Sequence, residues 1–293
     1  VEDRIPVLLD TDPGSDIDDA LAIAYLCKQP RCELVGITTV SGDTPKRAAI
    51  AEIVCRAYGR EDVPIVAGAR ETFAYGVGQP NVPHYDPVAH LPHRSDYAPD
   101  QAVDYLRSTI RSRPGEIVLL SIGPFTNVAL LLAIDPEIPS LLRSFVSMAG
   151  NFFQGYGNEW NCAVDPMATC AVAKRRAEQT WVGLDVTTKC TMTPDEVQAR
   201  FATPPHDVIL PMAKKWFEGA SHITFHDPLA AALVFRPDLC TYQGGEVSVP
   251  YGQDELKHAG HTVLSNGEGP HQVAATVDRD AFFSEYFGVV GNG

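Results

Sequence analysis

Leu9-Asp10-Thr11-Asp12-Pro13-Gly14-Ser15-Asp16-Ile17-Asp18-Asp19-Ala20-Leu21 places five aspartates within ten residues, directly after the apolar run at residues 5–9. The apolar run reads as a buried strand and residues 18–27 as a helix, so the acids crowd a strand end and a helix start. Aspartate is favoured at a helix N-cap and in the first turn, and capping accounts for one or two of them. Five carboxylates this close repel one another unless something neutralises them, and a bound cation is the economical remedy. The candidate ligands are all oxygens, which suits Ca²⁺ or Mg²⁺ and not zinc. The spacing is not that of an EF-hand loop, and no GxxxxGK[ST] phosphate loop occurs anywhere in the chain. Gly76-Val77-Gly78 has no third glycine and follows no clear strand, so a dinucleotide site is not expected.

Working outward, further continuous apolar runs at residues 34–40, 117–121, 145–149 and 181–186 read as strands covered on both faces. Helical patterns at 45–58, 100–111, 126–133 and 166–176 lie between them. This alternation predicts an α/β fold, a single domain over residues 1–293 around a mostly parallel, open doubly wound sheet flanked by helices. In such sheets ligands bind beyond the carboxyl ends of the strands. Residues 72–98, rich in Pro, His and Tyr and without periodicity, read as a long loop of the kind that often serves as a lid. Near the end of the chain, strand-like runs at 246–250, 261–265 and 272–277 and a short aromatic helix at 281–287 suggest added C-terminal strands, in a small sheet of their own.

Composition narrows the function. Hydrophobic residues make up 45% of the 293 and charged residues 20%, ordinary values for a chain with a sizeable core. The formal net charge of -14 argues against a broad nucleic-acid surface, which needs clustered Lys and Arg. No apolar run reaches the ~18 residues of a membrane span. Val1-Glu2-Asp3-Arg4 leads straight into the first strand without the layout of a secretory leader. Seven cysteines, odd in number and with no CxxC pair, read as buried free thiols, and a cytoplasmic location is the expectation.

The motifs agree with one family. Asp10-Thr11-Asp12-Pro13-Gly14 with Asp18-Asp19-Ala20-Leu21-Ala22 resembles the N-terminal signature of the nucleoside hydrolases, the inosine–uridine-preferring type among them. In the same order follow Gly36-Ile37-Thr38-Thr39-Val40-Ser41-Gly42, Val63-Pro64-Ile65-Val66-Ala67-Gly68 and Ile122-Gly123-Pro124-Phe125-Thr126-Asn127. Asn158-Glu159-Trp160-Asn161 with Asp165-Pro166, and Phe225-His226-Asp227-Pro228, complete the set of six.

That resemblance implies hydrolysis of the N-glycosidic bond of ribonucleosides through an oxocarbenium-like transition state. It implies Ca²⁺ held by Asp12, Asp19, the backbone carbonyl of Thr126 and Asp227, with the ion on the ribose 2′- and 3′-hydroxyls and the attacking water. Asp12 is then the general base, Asp18, Glu159 and Asn161 bind the ribose hydroxyls, and Asp10 supports the cluster. His226 either faces the leaving base or orients Asp227; His84 is the loop histidine expected nearest the base, ahead of His90 and His93. Asn151 is a further candidate contact to substrate. Trp160 either stacks on a base or packs in the core, and Phe152, Phe153 and Tyr156 sit in a turn after a strand as base contacts or lid packing. His206, His222, His258, His261 and His271 read as surface residues. A homodimer or homotetramer acting on a small ribonucleoside, with no nucleic acid or membrane partner, also follows from the resemblance.

Two departures from the family pattern stand out. Ser15-Asp16-Ile17 fills the place of one residue before the Asp pair and adds the carboxylate of Asp16, which either displaces Asp18 as the ribose contact or lies just outside the shell. Asp43 stands where the family generally has Asn, and an ionised Asp can accept but not donate a hydrogen bond, so Asp43 either binds a ribose hydroxyl as acceptor or the sugar site differs. These departures keep alive a calcium-dependent nucleoside binder without turnover. Asp10-Thr11-Asp12 also fits the Asp-x-Asp of a haloacid-dehalogenase-like phosphatase, with Asp10 as nucleophile, Asp12 as acid/base and Mg²⁺ assisting.

Overall fold

The computed structural model describes residues 4–155, 158–175, 177–250 and 259–291. Its strands are β1 (Ile5–Thr11), β2 (Cys32–Thr39), β3 (Ile65–Ala67), β4 (Val118–Ser121), β5 (Ser144–Met148), β6 (Gln179–Val182), β7 (Thr191–Met192), β8 (Ile223–Thr224), β9 (Cys240–Ser248), β10 (Val263–Asn266) and β11 (His271–Val277). Nine of them form one sheet in the order β10-β9-β11-β6-β5-β4-β1-β2-β3, while β7 and β8 pair on their own. From β11 to β3 every pairing is parallel; β9 runs antiparallel to both β11 and β10.

All seven residues of β1 are buried, which explains its unbroken apolar run. Successive side chains point to opposite faces. Val7 and Leu9 join the core that holds Leu21, Ile37 and Leu120, whereas Leu8 joins Leu119, Phe125 and Trp181 on the other face. The helix Asp18–Lys28 is buried along its length up to Cys27 and packs against the helices Thr44–Ala57, His226–Leu233 and Arg279–Val290. An element covered on all sides is apolar all round, so its pattern lacks a polar stripe.

The chain builds β1, β2 and β3 in one direction, then returns to place β4 on the other side of β1. The connections after β1 and β4 therefore leave the sheet in opposite directions and open a crevice between the two carboxyl ends. Asp12 follows β1 and Thr126 follows β4 on either side of that crevice.

The structure corrects several expectations. The strand predicted over 181–186 stops at Val182, and Leu184–Thr187 is a helical turn. Gly183 is the break, because a Cβ there would stand 2.7 Å from the Gly150 carbonyl oxygen. The C-terminal strands do not make a sheet of their own: His271–Val273 pair with Gln179–Trp181, so β11 extends the main sheet and carries β9 and β10 with it. The aromatic helix is longer than predicted, Arg279–Val290. His206 and His271 are buried and not on the surface. His206 meets the Tyr58 hydroxyl at 2.7 Å, and His271 Nδ1 accepts from the Val247 N–H at 2.8 Å. His222 is exposed and His261 half-buried. Tyr156, Arg176 and His258 lie outside the described residues, as do residues 1–3.

All seven cysteines are buried and unpaired. No helix among the described residues is long and apolar enough to cross a membrane.

Candidate active site

Asp10, the penultimate residue of β1, is wholly buried. The Thr38 hydroxyl and Asn127 amide donate to its Oδ1 at 2.6 and 2.8 Å, joining β1, β2 and the helix Thr126–Ile134. Burial lifts its carboxyl to about 7 despite these donors. Enclosed in this way, Asp10 has no opening for a phosphoryl group, which removes the phosphatase reading that made it the nucleophile.

Asp19 is fixed by the end of β1. The Thr11 hydroxyl donates to its Oδ1 at 2.5 Å and the Asp12 N–H to the same oxygen at 3.0 Å. Asp18 Oδ2 accepts the Asp227 N–H at 3.1 Å, which ties the helix Asp18–Lys28 to the start of His226–Leu233. One carboxylate oxygen each from Asp18, Asp19 and Asp227 fall within 4.8 Å of one another, all buried. The triad includes Asp18, which the resemblance gave to ribose, and leaves out Asp12, which it gave to the metal. The Thr126 carbonyl belongs to the first residue of its helix, and the Thr126 hydroxyl donates to Asp165 Oδ2 at 2.7 Å.

Burial first, then neighbouring carboxylates, pushes Asp12, Asp18 and Asp227 well above the usual range; for Asp12 the foremost neighbour is Asp19, for Asp227 it is Asp18. Concentrated negative charge held by fixed backbone and hydroxyl donors, with oxygens as the sole donor atoms, fits a hard divalent cation.

Arg47 is the residue that sequence reasoning missed. It is fully buried, donating from Nε to the Ser41 carbonyl at 2.7 Å, from Nη2 to the Gln79 carbonyl at 3.0 Å, and from Nη1 to the carbonyls of Asp12 and Pro13. Nη1 also lies 4.0 Å from Asp12 Oδ2. A single arginine early in a helix has no signature of its own; its role depends on three loops meeting around it. Gly123 is required for a different reason: a Cβ there would lie 2.8 Å from Asp12 Oδ1.

Across the crevice, Glu159 caps the helix Trp160–Val164 and accepts the N–H groups of Asn161, Cys162 and Gly150 at 2.6, 2.9 and 3.2 Å. Asn161 donates its amide to the carbonyls of Ile122 at 2.8 Å and Met148 at 3.2 Å, so its side chain bridges the ends of β4 and β5. The Asn151 N–H donates to the Thr262 hydroxyl at 2.9 Å. Asp185, unnoticed in the sequence, accepts the N–H groups of Phe152, Phe153 and Gln154 and shapes the turn after β5. Phe152 packs on Trp181 with centroids 6.1 Å apart, and Phe153 is exposed. Trp160 is 58% exposed, which rules out the core-packing alternative.

His226 is half-buried beside the Thr187 hydroxyl, with Nδ1 at 2.7 Å, and desolvation pushes its imidazole down to about 4. His84 is likewise buried and pushed down to about 4 by burial, with Nδ1 3.1 Å from the Asp16 carbonyl oxygen and its ring edge-on to Trp216. Ser15, His84, Lys215 and Trp216 line a cavity of about 440 Å³. His93 is tied within the loop to Tyr85 and to the Leu91 carbonyl. Asp43 is the N-cap of the helix Thr44–Ala57, accepting the Lys46 N–H at 3.3 Å and pairing with the Lys46 ammonium at 3.3 Å. Asp16 Oδ1 accepts the Ile17 N–H at 2.6 Å.

A parallel sheet with buried carboxylates gathered at its switch point defines a hydrolase-type site suited to a divalent cation. The model of the inosine-uridine preferring nucleoside hydrolases matches residues 7–284, and the chain belongs to that family. It is thereby an N-ribosyl hydrolase. It is 32% identical over 298 residues to a non-specific ribonucleoside hydrolase of Salmonella typhi, covering 94% of each chain. It is 30% identical over 283 residues to uridine nucleosidase 1 of Arabidopsis thaliana, covering 89% of this chain and 82% of the relative. Among solved structures it resembles a plant nucleoside hydrolase (TM-score 0.84, 28% identity, 98% of each chain). It also resembles the purine-preferring ribonucleoside hydrolase of Gardnerella vaginalis (TM-score 0.84, 25% identity, 97% of this chain and 98% of that one).

Proposed function

We propose that this chain, acting over residues 1–293 as one catalytic domain, hydrolyses ribonucleosides to free base and ribose. The observation that carries the reading is the convergence of Asp18, Asp19 and Asp227, with Asp12 beside them, at the crevice between β1 and β4. Ca²⁺ is the cation these oxygens suit, with Asp12 and the Thr126 carbonyl completing the set, and when bound it acidifies a water and holds the ribose diol. Asp12, which burial and Asp19 make a stronger base than a free aspartate, takes a proton from the attacking water. The water oxygen bonds to C1′ and keeps its second proton as the C1′ hydroxyl; the C1′–N bond breaks with its electron pair going to the base nitrogen, which takes up one proton, and the proton on Asp12 returns to solvent. Positive charge developing on the ribosyl ring is stabilised by the surrounding carboxylates. Glu159, Asn161 and Asn151 form the wall that orients the ribose, and Trp160 stands exposed at its rim for stacking. His226, neutral and held through Nδ1 by Thr187, serves the leaving base. Asp43 supports the fold of the site as a helix cap, and Asp16 by accepting the Ile17 N–H. A cytoplasmic homodimer or homotetramer is in keeping with the seven free thiols and the family.

The test is release of base and ribose from a panel of ribonucleosides and 2′-deoxyribonucleosides, with Ca²⁺ and with a chelator. Calcium-dependent release from ribonucleosides, with little from the deoxy forms, is expected. Binding of ribonucleosides without release from any of them would leave a non-catalytic binder in place of the hydrolase.

A further inference from the structure

Residues 79–84 lie against the acidic turn and are bonded to it at several points. The Ser15 hydroxyl donates to the Asn81 carbonyl at 3.3 Å, and Arg47 joins the Gln79 carbonyl to those of Asp12 and Pro13. Gly14 is pressed so close to Val82 that a Cβ there would stand 2.4 Å from Val82 Cγ1. His84 contributes two bonds of its own. Its backbone N–H donates to the Gly14 carbonyl at 3.1 Å, and its Nδ1 meets the Asp16 carbonyl at 3.1 Å. A carbonyl oxygen can only accept, so Nδ1 carries the hydrogen. One residue thus holds the turn on both sides of Ser15, within the segment that departs from the family pattern and immediately before Asp18 and Asp19.

We propose that His84 is a positioning residue: through the carbonyls of Gly14 and Asp16 it fixes the turn that sets Asp18 and Asp19, and it is not the partner of the leaving base. This rests on the hydrolase reading above. The alternative role is at the base, and the chemistry separates the two. A positioning residue affects every substrate of the site alike, and outer partners of ligating groups are worth about 10- to 100-fold in metal affinity or activity. A residue that protonates the leaving group matters only where the leaving group needs a proton.

The experiment uses the full chain with Ca²⁺ and the variants His84→Ala, His84→Asn and His84→Gln. The Asn amide nitrogen branches from Cγ as Nδ1 does, whereas that of Gln sits one bond farther out. Three quantities are measured: Ca²⁺ affinity by calorimetry, kcat and KM on a ribonucleoside, and kcat and KM on 4-nitrophenyl β-D-ribofuranoside, whose leaving group departs as a stable anion. His84→Ala is expected to lose about 10- to 100-fold in Ca²⁺ affinity and in kcat on both substrates, with His84→Asn restoring them and His84→Gln not. A loss confined to the ribonucleoside, with Ca²⁺ affinity unchanged, overturns the proposal and gives His84 to the leaving base. No change in any quantity overturns it as well. Should His84→Ala not fold, the contrast between Asn and Gln decides. If the unaltered chain turns over neither substrate, the hydrolase reading fails on its own, and the Ca²⁺ affinities still decide the role of His84.

Discussion

The buried acidic wall of the crevice and the exposed apolar side chains that follow β3 and β5 are built in opposite ways. The wall from Asp10 to Asp19 is buried, polar and held by hydrogen bonds from β1, β2 and the helices His226–Leu233 and Thr126–Ile134. The segments after β3 and β5 present an apolar rim of Phe73, Tyr75, Val77, Phe153 and Trp160, each more than 40% exposed. Phe73 is tied by its N–H, at 3.1 Å, to Asp165 Oδ2, the oxygen that also accepts the Thr126 hydroxyl. Charge that must be held still is placed where packing and donors leave no freedom, whereas this apolar surface is left open to solvent. The proposed function gives the chemistry to the buried wall and base preference to the rim.

The largest effect separating the walls should come from Asp12→Asn. Removing a general base costs on the order of 10²- to 10⁴-fold. Steady-state kcat should fall that far while thermal stability of the metal-free protein holds or rises, because one of several mutually repelling carboxylates is gone. Unchanged kcat would take Asp12 out of the reaction.

Gly123→Ala tests how tightly the buried wall is set. The new methyl would sit 2.8 Å from Asp12 Oδ1 and 2.9 Å from Val40 Cγ1, so the carboxylate must move. Displacement of a reacting group by about 1 Å costs roughly 100-fold. A kcat within about twofold of the unaltered protein would show that this wall tolerates shifts, and the contrast with the rim would lose its basis.

Between them in size is a pH effect on stability. His84 is pushed from 6.5 down to about 4 in the folded chain, so the unfolded chain binds the extra proton in that window. Its contribution is complete above pH about 6.5 and is lost as pH falls towards about 4, on the order of 3 kcal/mol by linkage. Chemical denaturation from pH 7 to 4 should show the loss, and His84→Asn should flatten that part of the slope. An identical slope in both proteins would mean that the ring is not held neutral by burial.

Trp160→Ala should have the smallest effect. With the indole 58% exposed, folding stability should change by less than about 0.5 kcal/mol. Loss of an aromatic contact to the base should raise KM about fivefold with kcat nearly unchanged. A large fall in kcat instead would place Trp160 in the buried wall's machinery.

Much of this was legible in the sequence. The strand runs of β1, β2, β4 and β5 and the helices between them could be read because elements covered on both sides are continuously apolar. The acidic segment could be read because such a density of carboxylates has no cheap structural explanation. Other features were not legible. The break after Val182 comes from the close approach of Gly183 to Gly150, a contact between distant parts of the chain. His206 and His271 looked like surface residues because a histidine's partner, here Tyr58 or Val247, is invisible along the sequence.

What the sequence by itself determined is the order of strands and helices, the family, and the set of carboxylates available to the site. Those depend on local pattern and residue type, which the chain carries in every conformation. Only the tertiary structure decided that Asp18, Asp19 and Asp227 converge, that Arg47 binds the carbonyls of Ser41, Asp12, Pro13 and Gln79, and that His84 grips the turn at Gly14 and Asp16. Each of these joins residues far apart in the chain, and their distances exist only once the sheet has set the loops side by side.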